Sequence, residues 1–277
     1  MTSPNEYVDL HLHTNHSDGS DTPLRVVERA AALDLAAMAI TDHDTLSGLA
    51  EAREAAAAHG IEFLPGTEVS AEYNGKELHI LGLGVDPLSE ELIAGLDTLR
   101  QRRSERADEM IERLNKLGVP AQRESIEAST ADGLIGRVHI AQEIVRLGHA
   151  THIQDAFEKY IKQGRSAFVV KKAMPASEAI DLIHLAGGLA FVAHPGIGKQ
   201  EQRLDKLLAL PFDGIEVYHS RHNADRTRKF GRLVRERGLL ATGGSDCHGD
   251  VKGEAPLMGN AKVPAEVYDR IRDALGA

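Results

Sequence analysis

Short apolar runs alternate with longer stretches that repeat apolar residues at helical spacing along most of this chain. The short runs predict strands, and the longer stretches predict helices that end at a stop signal such as Arg237-Gly238. Alternating strands and helices indicate βα units and a parallel sheet. The predicted strands cover residues 7–11, 37–41, 61–69, 78–83, 189–193, 214–218 and 239–243. The predicted helices between them cover residues 23–33, 45–59, 176–186, 204–210, 224–237 and 265–275.

These seven predicted strands favour a closed sheet. The chain lacks the glycine-rich fingerprint of a dinucleotide-binding, doubly wound sheet. We therefore expect an α/β fold in which the strands form a barrel surrounded by helices.

Residues 89–171 interrupt the alternation, because they show no clear strand pattern. We expect a small helical insert here, which divides the barrel into a first part, residues 1–88, and a second part, residues 172–277. The first helix of the insert is dense in charge, which favours a solvated face with i,i+4 ion pairs over a contact surface for an acidic ligand. The helices predicted in the insert cover residues 90–117, 136–147 and 153–162.

Composition is that of an ordinary globular protein, since 42% of the 277 residues are hydrophobic and 27% are charged. No apolar run reaches the ~18–20 residues of a membrane span, and the polar residues 1–7 lack a signal-peptide core. Cys247 is the only cysteine, which excludes an internal disulfide and favours a cytoplasmic location. The net charge of −10 argues against binding to long nucleic acid. It allows a small phosphorylated ligand if bound cations reverse the local field.

Histidines and carboxylates recur at the ends of the predicted strands. His11 and His13 are two residues apart on one strand, so both imidazoles point to the same side. The C-terminal strand ends of a βα barrel converge on one face, where residues distant in sequence meet. So many ionisable groups in one cleft would repel one another unless cations bind them. The candidate ligands are His11, His13, Asp18, His43, Glu68, His79, His194, Asp246 and His248.

The donor set narrows the choice of metal. Imidazole and carboxylate without thiolate suit Mn²⁺, Fe²⁺ or Zn²⁺. These ligands exceed the needs of one ion, so we expect two or three ions about 3.5–4 Å apart, with Glu68 as the bridge. Such ions lower the pKa of bound water to about 7 and neutralise phosphoryl oxygens, so a hydroxide between two ions can attack a phosphate ester.

Six motifs together resemble the polymerase-and-histidinol-phosphatase (PHP) family of metal phosphoesterases, in the family's order over nearly the whole chain. The resemblance implies a distorted seven-stranded (β/α)7 barrel, similar to a TIM barrel, with two or three metal ions. The complete ligand set argues against a copy that has lost catalysis. The motifs are His11-Leu12-His13, Thr41-Asp42-His43-Asp44, Gly66-Thr67-Glu68, His79, Ala193-His194-Pro195 and Ser245-Asp246-Cys247-His248.

The resemblance also implies how the ligands divide among the ions. Glu68 takes part in two groups, and we expect Glu68, Asp246 and His219 to act in catalysis. His219 could bind a metal, donate a hydrogen bond to phosphate, act as general acid to the leaving oxygen, or only support a ligand. The implied groups are His11, His13, Glu68 and Asp246 for one ion, Glu68, His79 and His194 for a second, and Asp18, His43 and His248 for a third.

The insert makes the expected substrate more specific. Residues 136–141, 156–160 and 170–171 resemble the subgroup of 3′,5′-nucleoside bisphosphate phosphatases, some of which also trim short RNA from the 5′ end. The resemblance implies removal of the 3′ phosphate of pAp-like nucleotides, or of 5′ nucleotides from short oligoribonucleotides. Guanidinium groups match phosphate bidentately, although each cation here could instead belong to a surface ion pair or a polar loop. The candidate substrate-binding residues are Arg137, Lys171, Arg221 and His222.

Other functions stay open. A histidinol-phosphate phosphatase or another small phosphomonoesterase could use the same barrel, but a lid that carries Arg137 favours a ligand with a second phosphate or a base. A non-catalytic metal-binding module and a polymerase-associated proofreading domain are alternatives of another class. An amidohydrolase usually needs a carboxylated lysine where this chain has Glu68. We expect a monomer that binds a small nucleotide or short RNA, with no membrane partner.

Overall fold

Strands near both ends of the chain join in one curved sheet that nearly closes into a barrel. The computed structural model describes residues 6–130, 134–198, 200–250 and 257–276. The strands are β1 (Tyr7–Leu12), β2 (Ala37–Ile40), β3 (Glu62–Tyr73), β4 (Lys76–Leu83), β5 (Met174–Pro175), β6 (Leu189–Val192), β7 (Gly214–His219), β8 (Leu240–Gly244) and β9 (Val263–Pro264). Their hydrogen-bonded order is β8-β7-β6-β4-β3-β2-β1-β9, and β5 pairs with β3.

Helices connect most of these strands, and local signals set several of their ends. The side chains of Thr22 and Asn223 cap helices α1 (Pro23–Ala32) and α9 (Ala224–Arg237), because each accepts a backbone N–H of the first turn. Gly238 ends α9 with a φ of 64°, a left-handed conformation that suits glycine. The helices are α1 (Pro23–Ala32), α2 (Leu49–His59), α3 (Glu90–Lys116), α4 (Arg123–Glu127), α5 (Arg137–Arg146), α6 (Ile153–Ala156), α7 (Ala176–Leu185), α8 (Leu204–Leu207), α9 (Ala224–Arg237) and α10 (Ala265–Leu275).

The centre of the sheet differs from the parallel arrangement that the sequence predicts. β3 and β4 form an antiparallel hairpin around Asn74-Gly75, a pair that favours tight hairpin turns and has positive φ at both residues. β4 is also antiparallel to β6. The prediction of an all-parallel sheet was therefore wrong here. The reversal brings the start of β4, with His79, to the rim where the parallel strands end.

The strand count and some element ends also differ from the predictions. The described residues form nine strands instead of seven, and the two additional strands, β5 and β9, are two residues long. α2 begins at Leu49 instead of residue 45, because Asp44 has a φ of 54° and starts a loop. The end of the predicted helix over 153–162 is a π-helix, Phe157–Ile161. The α/β architecture with a barrel-like sheet is confirmed, whereas the count of seven is not.

Backbone contacts between β1 and the segment after β8 bring the two ends of the barrel together. The His13 N–H donates to the Cys247 carbonyl at 3.0 Å, and the Asp246 N–H donates to the His11 carbonyl at 2.9 Å. Gly244 makes this approach possible, because a Cβ there would lie 2.3 Å from the Cβ of His11. The close approach puts the ligand candidates at both ends of the chain side by side.

Helix α3 joins the barrel to a second hydrophobic cluster. Leu92 and Leu99 in its first half pack into the barrel core. Met110 and Leu114 in its second half pack into a separate cluster within residues 107–169. No helix in the described part of the chain is long and apolar enough to span a membrane.

Candidate metal centre

Glu68 lies at the centre of the imidazole cluster on the rim of the barrel. Its Oε2 atom is 3.2 Å from Nε2 of His11 and 3.1 Å from Nε2 of His13. Asp246 completes this group, with Oδ1 at 3.4 and 3.2 Å from the same two nitrogens. The four residues match the first predicted ligand group.

Further imidazoles surround Glu68 from the opposite side. Its Oε1 atom is 2.9 Å from Nδ1 of His79 and 3.1 Å from Nε2 of His194. Nδ1 of His43 lies 3.3 Å from Oε2. The donor atoms of His43, Glu68 and His79 lie within 4.8 Å of one another. The geometry thus groups His43 with the second predicted set, and the division of ligands among individual ions stays a prediction.

Asp18 and His248 form the outer edge of the cluster. Oδ1 of Asp18 is 3.1 Å from Nε2 of His248 and 3.9 Å from Nε2 of His43. His13 joins these three residues in a set whose donor atoms all lie within 4.8 Å. The structure therefore brings all nine predicted ligands together, although they come from seven separate segments of the chain.

Burial and opposite charge act against each other on the carboxylates. Burial would raise the pKa of Glu68, but the imidazoles, with His43 and His79 foremost, hold it well below its usual range. The pKa of Asp246 is likewise held well below its usual range, mainly by His11 and by a hydrogen bond from His13, against the effect of burial. Both carboxylates are therefore ionised at neutral pH and supply negative charge to the cluster.

Unsatisfied buried atoms indicate that the cluster suits metal ions. Among the described residues, Asp18 Oδ1, His43 Nδ1, His79 Nδ1 and His219 Nε2 are buried and make no hydrogen bond of suitable geometry, although each lies within 3.5 Å of an ion-pair partner in the cluster. Such atoms are rare in folded proteins unless a ligand or ion satisfies them. Imidazole nitrogens and carboxylate oxygens are the donors that Mn²⁺, Fe²⁺ and Zn²⁺ accept. The residues present therefore fit divalent metal ions.

Backbone strain is concentrated in the same place. His194 and Asp246 have φ values of 33° and 56°, a region that non-glycine residues seldom occupy. Strained backbone of this kind persists where the surrounding structure holds a functional side chain in place. Both residues follow the ends of strands, β6 and β8, and both contact the central cluster.

Glu216 is a buried residue of this site that the sequence analysis did not include. Its Oε1 atom lies 2.9 Å from Nδ1 of His11, and its Oε2 atom accepts the backbone N–H of His194 at 2.5 Å. A carboxylate that holds the second nitrogen of a metal-binding histidine is a recurrent feature of metal sites. An acidic residue in the middle of the apolar run Gly214-Ile215-Glu216-Val217 was the available signal.

The predicted catalytic residue His219, at the end of β7, and the predicted substrate residues Arg221 and His222 after it have different environments. His219 is buried, with Nε2 at 3.5 Å from Oδ2 of Asp246 and with Nδ1 accepting the Arg221 N–H at 3.0 Å. His222 accepts the Gly196 N–H at 3.1 Å and pairs with the Val217 carbonyl at 3.0 Å. A phosphate contact would therefore require one of these His222 bonds to break. The Arg221 side chain is exposed and does not line the cleft described next.

A cleft of about 260 Å³ lies between the rim and the insert. Arg137 and Lys171 line it, as the predicted role in substrate binding requires, and Arg103 and Arg106 from α3 join them. Sequence analysis missed these two arginines, because only the packing of α3 against the barrel turns them toward the rim. The cleft thus combines four cations with the edge of the imidazole cluster, in a protein whose net charge is −10.

The four cations differ in how well they are neutralised. The Arg103 guanidinium lies 2.6 Å from Oδ2 of Asp44, and Nζ of Lys171 lies 2.9 Å from Oε1 of Glu77. Arg106 donates to the Val169 carbonyl at 3.0 Å and has no carboxylate partner among the described residues. Burial, together with the positive charge of Arg137, lowers the pKa of Arg106 to about 10. This unbalanced positive charge in the cleft favours an anion.

Comparison with known proteins identifies the family of the chain. Residues 9–275 match the family model described as PHP domain. The chain belongs to the PHP domain family. The match includes every predicted metal ligand of this PHP protein and the whole insert.

Relatives of this PHP protein hydrolyse phosphate esters. A 3′,5′-nucleoside bisphosphate phosphatase from Chromobacterium violaceum is 38% identical over 260 residues, which cover 89% of this chain and 88% of the relative. A 5′-3′ exoribonuclease from Haemophilus influenzae is 35% identical over 245 residues, which cover 87% of this chain and 89% of the relative. A solved structure from Bifidobacterium adolescentis, provisionally assigned as a metal-dependent phosphoesterase, has a TM-score of 0.87 and 30% identity, and the match covers 98% of this chain and 96% of that one. The predicted family and the predicted enzyme class, a metal-dependent phosphoesterase, are confirmed.

Proposed function

We propose that this phosphoesterase removes the 3′ phosphate from nucleoside 3′,5′-bisphosphates and releases 5′ nucleotides from short oligoribonucleotides. The observation that supports it is the pair Arg106 and Arg137, which lines the same cleft as the metal-cluster residues Asp18, His43 and His79. One phosphate would lie at the metal cluster for cleavage, while a second phosphate of the same molecule would lie between the two arginines. A substrate with a single phosphate would leave this positive charge unmatched.

The imidazole cluster and the cleft have different roles with such a substrate, since the cluster would hydrolyse one phosphate ester and the cleft would bind the second phosphate. The nine residues described above would hold divalent ions, which would supply an activated water and positive charge for the phosphoryl oxygens. Arg137 presents a guanidinium fork that matches the oxygens of the second phosphate. Lys171, held by Glu77, adds a point charge on the same side. These contacts orient the scissile ester relative to the cluster.

We propose that His219 is a hydrogen-bond donor to the leaving oxygen. Its Nδ1 accepts the backbone N–H of Arg221, so the proton of the neutral ring resides on Nε2. Nε2 is buried without a hydrogen-bond partner in the described structure and lies 3.5 Å from Oδ2 of Asp246. The N–H at Nε2 can donate a hydrogen bond that stabilises the charge developing on the leaving oxygen as the ester bond breaks, while the proton that the leaving oxygen finally takes comes from water, and Asp246 keeps the ring oriented.

The size of the cleft supports a short substrate. At about 260 Å³ it lies near the lower end of small-molecule sites, which span roughly 300–1,000 Å³. The net charge of −10 opposes the broad backbone contacts that long nucleic acid needs. We propose that the insert, residues 89–171, acts as a lid domain over this cleft between the two parts of the barrel.

A panel of substrates tests the proposal. Protein reconstituted separately with Mn²⁺, Fe²⁺ and Zn²⁺ is incubated with pAp, AMP, histidinol phosphate and a short 5′-phosphorylated RNA. We expect phosphate release from pAp, release of 5′ nucleotides from the RNA, and little hydrolysis of AMP. Phosphate release from histidinol phosphate alone would replace the proposal with that activity.

The monomeric state and the cytoplasmic location stay predictions.

A further inference from the structure

The insert gives the cleft an apolar wall that faces the charged rim. Apolar side chains from α3, α5 and the π-helix line the cleft. Most of them are buried in the hydrophobic cluster of the insert, with Met110 and Ile140 each 1% exposed. Phe157 and Val138 remain partly exposed. The accessible apolar surface of the wall therefore includes one aromatic ring and one branched side chain.

Phe157 occupies an unusual position in the backbone. It is the first residue of the π-helix Phe157–Ile161, which follows directly on α6. The Lys162 N–H reaches back five residues to the Phe157 carbonyl at 2.9 Å. π-Helical turns are rare and occur frequently at functional sites. The aromatic ring in the cleft thus belongs to a residue at a local irregularity of the backbone, although it also packs against the hydrophobic cluster of the insert.

The polar side chains of the wall do not suit recognition of a base edge. All described lining residues with polar side chains are ionisable. Asp18, His43 and His79 belong to the imidazole cluster. The others are the four cations Arg103, Arg106, Arg137 and Lys171, together with Glu77, the partner of Lys171. None of the described lining residues carries an amide or hydroxyl side chain. Bases are distinguished by hydrogen bonds to their edges, whereas stacking on an aromatic ring accepts every base.

We propose that the nucleobase of the substrate stacks on Phe157 beside Val138, and that this site accepts all four bases. The inference rests on the proposed function, because it assumes a nucleotide whose phosphates lie at the metal cluster and at the arginines. It adds a binding site for the base and assigns to Phe157 a role in affinity without base selectivity. The substrate class is therefore nucleoside bisphosphates in general rather than one nucleotide.

A kinetic comparison with Phe157→Leu tests this site. The substrates are the 3′,5′-bisphosphates of adenosine, guanosine, cytidine and uridine, and ribose 3,5-bisphosphate, which lacks a base. Stacking contributes about 1–3 kcal/mol per base, so KM for the four nucleotides should rise roughly 5- to 150-fold. KM for the base-free compound should stay unchanged. Tyr160→Leu is the matched control, because Tyr160 lies in the same π-helix and packs into the same cluster but does not line the cleft.

Two kinetic results would overturn the inference. Equal losses for the base-free and base-containing substrates would mean that Phe157 only supports the insert. A preference of wild type for one base above about 10-fold would mean that the site reads base edges. If wild type hydrolyses no bisphosphate at all, the proposed function fails, and the base site is then judged by equilibrium binding.

The Phe157→Trp variant provides that equilibrium measurement. The chain contains no tryptophan, so the new indole is the only one and reports on this position alone. We expect AMP and CMP to quench its fluorescence with dissociation constants within about 5-fold of each other, since stacking energies differ little among bases. An indole signal that neither nucleotide changes, at concentrations that inhibit the wild-type enzyme, would exclude a base at Phe157. Quenching without any hydrolysis of bisphosphates would support the base site and reject the proposed function.

Discussion

Glu216 holds His11 from the side opposite the metal cluster, with Oε1 at 2.9 Å from Nδ1 of the imidazole. This contact assigns the proton of His11 to Nδ1 and leaves Nε2 free to bind an ion beside Glu68. The second oxygen of Glu216 holds the backbone N–H of His194, at a residue with a strained φ of 33°. One buried carboxylate thus orients predicted ligands from two strands.

The Glu216→Gln variant tests this relationship. The amide keeps the shape of the side chain but removes the charge that increases the basicity of His11, so affinity for Mn²⁺ or Zn²⁺ should fall about 10–100-fold. Titration calorimetry of the metal-free protein measures the change. Glu72→Gln, an exposed substitution on β3, should leave the affinity unchanged. Equal affinities in wild type and Glu216→Gln would limit Glu216 to a packing role.

Replacing Glu68 should abolish turnover. The Glu68 carboxylate contacts five imidazoles of the cluster, and its loss removes the proposed bridge between two ions. Metal ions contribute several kcal/mol of charge stabilisation in such reactions, so kcat should fall by at least about 10³-fold in Glu68→Ala. Elemental analysis of the purified variant should also show fewer bound ions. A variant that retains both its rate and its metal content would rule out a bridging role.

Replacing Arg137 should raise KM for substrates with two phosphates and leave KM unchanged for substrates with one. Loss of a charge-assisted hydrogen bond of about 1.5–3 kcal/mol predicts a rise in KM for pAp of roughly 10- to 150-fold in Arg137→Ala. A nucleoside 3′-monophosphate, which lacks the second phosphate, should show no such rise. Arg165→Ala is the control, because this arginine is on the surface of the insert and does not line the cleft. Parallel losses for both substrates would place Arg137 at the scissile phosphate instead.

The predicted metal ligands could be selected from the sequence because they follow a local rule. A ligand such as His11 or His43 follows or ends an apolar strand, and strand ends meet in a barrel. His79 fits the same rim for a different reason, since its strand is antiparallel and contributes its beginning. Periodicity alone does not distinguish strand direction, so the hairpin at Asn74-Gly75 was missed although its turn sequence is typical.

Residues whose role depends on packing between distant elements could not be found in this way. Arg103 and Arg106 belong to a helix of dense charge, where most residues face solvent, and nothing local indicates which of them face the cleft. Glu216 acts through His11, which is 205 positions away in sequence. Sequence analysis therefore selected the histidines and carboxylates that the structure brings together on the rim, and it missed the residues that orient them.

Arg103 should contribute to stability rather than to catalysis alone. Its guanidinium is 2.6 Å from Oδ2 of the buried Asp44, which also accepts both the N–H and the hydroxyl of Ser70. Removing one partner of a buried ion pair costs about 3–5 kcal/mol, so Arg103→Met should lower the free energy of unfolding by that order. The double variant Asp44→Asn with Arg103→Met should lose less, because no unpaired charge stays buried. Urea denaturation of wild type, Arg103→Met, Asp44→Asn and the double variant measures the coupling, and strictly additive losses would contradict it.

Metal removal should destabilise the folded protein, because the cluster gathers ionised carboxylates that the ions neutralise. An ion at 100 times its dissociation constant stabilises the native state by about 2.7 kcal/mol. At about 2–4 °C per kcal/mol, each bound ion should raise the melting temperature by roughly 5–10 °C. Differential scanning calorimetry of chelator-treated protein, with and without added Mn²⁺ or Zn²⁺, measures this shift.

Ca²⁺ prefers oxygen ligands and should give a much smaller shift at an imidazole-rich site. Glu68→Ala should lose most of the Mn²⁺ effect, and Glu72→Ala, on the same strand, should keep it. If neither Mn²⁺, Fe²⁺ nor Zn²⁺ raised the melting temperature of wild type, the imidazole cluster would not be a metal centre.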